Sequence, residues 1–79
     1  MGPELLLVAK REKKPTGFGD RLRAVREQAG VSLSELGRRT DIAYQTIMKY
    51  ERGENEPTWP TVLKIAEALG VSTEEFREQ

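Results

Sequence analysis

The chain has 79 residues, and its 13 Lys and Arg are matched by 13 Asp and Glu, for a formal net charge of zero. That length bounds it to one small domain with a modest core. Cysteine and histidine are both absent, which excludes disulfides, thiolate metal sites and the commonest zinc ligand and general base; no carboxylate pair sits among apolar neighbours either, so no catalytic residue, metal or cofactor is expected and the chain does not read as an enzyme.

Residues 1–17 read as an N-terminal arm or linker. Pro3, Pro15 and Gly17 punctuate it, and Lys10–Lys14 is a basic run. The longest apolar run, Leu5–Ala9, is too short to cross a bilayer or to form the apolar region of a secretory signal. No membrane association is therefore expected, and a cytoplasmic location fits. Leu5–Val8 suits either a short strand or a patch packed on the domain.

Residues 18–79 read as the folded domain. Phe18, Leu22, Val25 and Ala29 recur at helical spacing and predict a first helix over Phe18–Ala29. Gly30 follows, the residue type suited to a left-handed helix end. Ser32 and Glu35 form an S-x-x-E capping box and open a second helix, Leu33–Thr40, with Leu36 and Thr40 on one face. Asp41 ends it, since Asp tolerates positive φ better than most residues. A third helix follows over about 44–52, with Ile47 and Tyr50 facing inward beside Ala43. Gln45, Met48, Lys49 and Arg52 point the other way, and Gly53 stops the helix. Thr58 is placed to cap a fourth helix, and Pro60 is tolerated in its first turn. Trp59, Val62, Leu63, Ala66 and Leu69 are expected on its inner face, with Ile65 alongside. Gly70 closes this helix. Ser72 and Glu75 suggest a second capping box, and Phe76 begins a short fifth helix. The expectation is an all-α, five-helix bundle preceded by a basic arm.

The informative unit is the second helix, the tight turn and the third helix. Two helices this short and this close must cross steeply, so their backbones approach. Gly37 lies on the inner face of the second helix. A helical glycine costs roughly 0.5–1 kcal/mol relative to alanine, and close approach is the steric reason for accepting that cost.

The stretch S-L-S-E-L-G-R-R-T-D-I-A-Y-Q-T-I-M-K-Y-E-R-G, Ser32–Gly53, resembles the Cro/phage-repressor (XRE) family of helix-turn-helix domains. So does E-P-T-W-P-T-V-L-K-I-A-E-A-L-G-V-S, Glu56–Ser72. The Tyr-Glu-Arg-Gly end of the third helix and the Ile-Ala-x-x-Leu-Gly-Val-Ser end of the fourth carry the likeness, which runs from Phe18 to Phe76. The resemblance implies a λ-repressor-like fold of bacterial or phage origin. It also implies double-stranded DNA as partner, transcriptional regulation (repression above all) as function, and a recognition helix lying in the major groove.

Carried over to this sequence, the base-facing candidates are Tyr44, Gln45, Met48 and Lys49. A glutamine amide can pair with adenine N7 and N6, and lysine can meet guanine or a phosphate. The phosphate candidates are Arg38, Arg39, Thr46 and Arg52, with Lys10 and Arg11 from the arm. Arg26 and Glu51 match a structural ion pair joining the first helix to the end of the third. Family members act as dimers on near-palindromic half-sites, so a homodimer is implied, with Leu5–Val8 or the region around Phe76 as candidate faces.

Two positions and one loop depart from the family pattern. Leu33 stands where glutamine is common. Ala43 replaces a capping Ser or Thr, and the loop Glu54-Asn55-Glu56 is acidic where relatives are often basic. Charge is also polarised along the chain. Residues 1–17 carry net +2, residues 18–53 net +2 and residues 54–79 net −4. The alternative reading is a protein–protein interaction module of the same fold with no DNA role.

Overall fold

The computed structural model describes residues 17–76. Among these residues there are four α-helices, one 3-10 turn and no strand: α1 Phe18–Gln28, α2 Leu33–Thr40, α3 Tyr44–Arg52, α4 Trp59–Leu69, and the turn Thr73–Phe76. The arm expected over residues 1–17 lies outside the described residues except for Gly17.

Local chemistry accounts for the boundaries. Gly30 takes the left-handed conformation at φ 71°, and Ala29 becomes the exposed cap of α1 rather than the last residue of its apolar stripe. Ser32 Oγ accepts the Glu35 amide at 3.0 Å. The reciprocal half of the capping box does not form, because the Glu35 carboxylate is drawn to Arg38 and Arg39 instead. Asp41 ends α2 at φ 62°. The Gly37 carbonyl then accepts the Ile42 amide at 3.2 Å, which closes the turn into α3.

Three expectations for the C-terminal part are corrected. Thr58 occupies the cap position of α4 but makes no capping bond; its hydroxyl meets that of Thr61 at 3.2 Å. Ser72 Oγ accepts the Glu74 amide, two residues on, so Ser72 and Glu75 do not form a capping box. Phe76 ends a 3-10 turn instead of beginning a helix.

The core gathers Leu22 of α1, Leu36 of α2, Ile47 of α3 and Ile65 of α4, all fully buried, with Val31, Val62, Ala66, Leu69 and Phe76. Phe76 stacks obliquely on Phe18, ring centroids 5.3 Å apart, so the 3-10 turn seals the open end of α1. The inner face of α4 differs from the expected one. Val62, Ile65, Ala66 and Leu69 are buried, but Trp59 is 60% exposed and Leu63 45% exposed. Residues 59 and 63 lie one helical turn apart on their own stripe, rotated away from the stripe that α2 covers.

Candidate nucleic-acid interface

The site is built on the α2–α3 crossing. A Cβ on Gly37 would stand 2.8 Å from the Ile42 carbonyl oxygen and 3.4 Å from the Tyr44 amide nitrogen. Only glycine allows the start of α3 to lie this close to α2. Thr40 completes the crossing; its buried hydroxyl donates back to the Leu36 carbonyl at 2.8 Å and so is itself paired.

A second close approach fixes the far end of α3. A Cβ on Gly19 would sit 2.7 Å from the Glu51 carbonyl oxygen and closer still to that of Tyr50. The first turn of α1 thus lies against the last turn of α3, where helix dipoles of opposite sign meet. Sequence reasoning missed Gly19. Nothing in the spacing of α1 distinguishes it from a tolerated glycine.

Arg26 and Glu51 lock the same junction. Arg26 Nε donates to one Glu51 oxygen at 2.6 Å and the terminal guanidinium donates to the other at 3.1 Å. A third bond, at 3.0 Å, reaches the Val31 carbonyl, so α1, the following loop and α3 share one guanidinium. The two side chains are only 11% and 8% exposed. The hydrogen bond to Glu51 raises the Arg26 pKa still further, against the opposing pull of burial.

With both ends held, α3 presents a defined outer surface. Gln45 and Lys49 are exposed, one turn apart, and Tyr44 is 46% exposed at the N-terminus. Thr46 is half-buried in the same first turn. No side-chain oxygen caps α3, because its cap residue is Ala43. The Thr46 amide bonds the Ala43 carbonyl at 3.0 Å and the Tyr44 amide lies against Gly37, so what the uncapped end offers outward is chiefly the positive end of the helix dipole. Met48 stands apart from this ridge. It is half-buried and lines a cleft with Leu33, Asp20 and Arg23 beside the ion pair.

The arginines divide. Arg38 and Arg39 both pair with Glu35, Arg39 at 2.9 Å. Arg39 also donates to the Ala68 carbonyl at 3.0 Å, bracing α2 against the C-terminal end of α4. These bonds, Arg39 first and Arg38 second, hold the exposed Glu35 carboxyl below its ordinary range. Arg52 is exposed and loosely paired with Glu54 at 3.5 Å. Lys10 and Arg11 lie outside the described residues.

Among the described residues, no group of acidic residues could hold a metal ion, and no helix is long and apolar enough to cross a membrane.

Comparison with known proteins gives a consistent result. The sequence pattern of the family described as a helix-turn-helix domain matches residues 18–79. The chain is 47% identical, over 51 residues, to a helix-turn-helix-type transcriptional regulatory protein of Pyrobaculum aerophilum, a match covering 65% of this chain and 19% of that protein. It is 39% identical, over 57 residues, to the SPbeta prophage-derived helix-turn-helix-type transcriptional regulator YonR of Bacillus subtilis, covering 72% of this chain and 53% of the relative. This chain therefore spans only about half, or less, of the curated relatives it matches. Among solved structures it is similar to the P22 c2 repressor in complex with a synthetic operator, with a TM-score of 0.71, 27% identity, and coverage of 78% of this chain and 94% of that one.

Proposed function

We propose, on the premise that this chain belongs to the helix-turn-helix domain family, that it binds double-stranded DNA sequence-specifically and acts in transcriptional regulation, with α3 as the recognition helix. The observation that carries this reading is the exposed ridge of Tyr44, Gln45 and Lys49 on a helix pinned at both ends, by Gly37 at its start and by Gly19, Arg26 and Glu51 at its finish.

Gln45 is the direct reader, its amide pairing with the N6/N7 edge of an adenine. Lys49 meets a guanine edge or a phosphate one turn later. Tyr44 packs on a thymine methyl or donates to a phosphate. The start of α3, which has no side-chain cap, turns the positive end of its dipole toward a phosphate. Arg38, Arg52 and Thr46 complete the backbone contacts. Arg39 serves α2–α4 packing instead, since its guanidinium is already engaged by Glu35 and Ala68. One chain presents one recognition helix, so a pair of copies on a near-palindromic site is the assembly this reading calls for. Phe76 itself is buried in the core, so a contact through the region around it would use its exposed neighbours Glu74 and Glu75.

Selection of bound sequences from a random DNA pool, followed by titration of Gln45→Ala on the best site, tests the reading. The substitution is expected to cost about 1–3 kcal/mol and to relax preference at one base pair. Equal binding of that site by the variant removes Gln45 from the base contacts. The second reading, a protein-interaction module, is favoured by the acidic exposed loop Glu54–Glu56. It predicts no DNA binding even at low salt.

A further inference from the structure

An apolar face of the domain is left uncovered by every described element. Trp59 and Leu63 are the two large apolar side chains of α4 turned to solvent, at 60% and 45% exposure. On one side of them lies a groove of about 400 Å³ lined by Phe18, Trp59, Val62, Thr73 and Phe76. On the other lies a groove of about 450 Å³ lined by Leu63, Ala66, Glu67, Val71 and Thr73. Thr73 borders both. Trp59 and Leu63, one turn apart with apolar grooves beside them, offer a surface that an apolar segment would cover.

We infer that the apolar segment Leu5–Ala9 of this same chain docks on the Trp59–Leu63 face. Three observations converge on that occupant. The first is reach. Phe18 lines the groove itself, and eight residues, 10–17, separate it from Ala9. Such a tether spans up to roughly 26 Å when extended, ample for a segment whose attachment point is already at the groove. The second is chemistry. Leu5–Ala9 is the longest uninterrupted apolar run in the chain, and such a run is stabilised by leaving water for an apolar surface.

The third is charge. The run is followed by Lys10, Arg11, Lys13 and Lys14, against a single Glu12. Among the described residues on and beside α4, the exposed carboxylates Glu56, Glu67, Glu74 and Glu75 outnumber the exposed cation Lys64. Glu56 precedes α4 and is exposed, and Glu67 is exposed at the edge of the second groove; neither is in an ion pair among the described residues. Residues 54–79 carry net −4, and residues 1–17 net +2. An apolar stretch followed by cations meets an apolar face bordered by carboxylates. The tether makes the encounter intramolecular, which favours it over association with a second molecule. The inference stands whether or not the chain binds DNA.

Trp59 is the only tryptophan in the chain, so its emission reports on this face directly. Acrylamide quenching is compared between the full chain and the full-chain variant Leu5→Ser/Leu6→Ser/Leu7→Ser, with far-ultraviolet circular dichroism verifying that both are folded. The full chain is expected to show shielded, blue-shifted emission at every protein concentration. The triple variant is expected to shift to the red with a several-fold larger quenching constant. In the full chain, Lys13→Glu/Lys14→Glu is expected to give an intermediate loss of shielding. Equal quenching of wild type and triple variant overturns the inference. Shielding that disappears on dilution also overturns it, because it assigns the face to a second copy.

Discussion

Removing either half of the Arg26–Glu51 pair strands the other charge in a junction where both side chains are almost wholly covered. The pair's net worth is small, because desolvation offsets attraction, yet breaking it is costly. Arg26→Ala is expected to destabilise the fold by about 3–5 kcal/mol, visible as a lowered Tm; an unchanged Tm means the junction is wet. Glu35 behaves differently, being exposed and paired twice. Its carboxyl is held below its ordinary range by hydrogen bonds from Arg39 and Arg38. A depressed carboxylate contributes stability above its unfolded pKa and loses it as pH falls through the folded value. The Tm of the wild type is therefore expected to fall on acidification through and below the usual carboxylate range, and Glu35→Gln to flatten that limb. Parallel acid limbs in the two proteins would show that the pairs contribute nothing.

The α2–α3 unit depends on backbone proximity. Gly37→Ala adds a methyl group 2.8 Å from a carbonyl oxygen that belongs to the turn and cannot swing aside. Alanine gains roughly 1 kcal/mol in helix propensity, and overpacking costs about 1–3 kcal/mol, so the sign is decided by how far the turn can yield. The turn is closed by the Gly37–Ile42 hydrogen bond and anchored by buried Thr40, so it yields little. Gly37→Ala is expected to lower the urea midpoint, and an equal or higher midpoint would mean the elbow is loose. The elbow was legible in the sequence because a glycine inside a short helix before a tight turn has few other uses. Its counterpart at Gly19 was not, since the carbonyls it faces belong to residues 50 and 51, more than thirty positions away in the chain.

At the scale of the whole molecule, zero net charge conceals a polarised surface. Residues 18–53, which hold α2 and α3, carry net +2, and residues 54–79 carry net −4. Binding to DNA through α3 is expected to weaken steeply as salt rises, in proportion to the phosphates neutralised. Arg52→Ala is expected to flatten the dependence of log K on log salt by about one contact. Arg39→Ala is expected to leave that slope in place, because Arg39 is held against Ala68. The reverse pattern would return Arg39 to the phosphate contacts and remove Arg52.

The sequence by itself determined the order of the four helices and the bounds of α2 and α3, while it carried α1 one residue too far and expected a fifth helix. Caps, turn residues and the 3.6-residue period act within a few positions, so they can be read wherever they occur. Ser32, Asp41 and the apolar pairs of α2 and α3 are of this kind. Tertiary structure alone decided which way α4 faces, leaving Trp59 and Leu63 outside, and which arginines stay at liberty. A helix of mostly apolar residues has no unique inner stripe until a neighbour covers one, and an exposed arginine takes whichever acceptor the fold brings within reach.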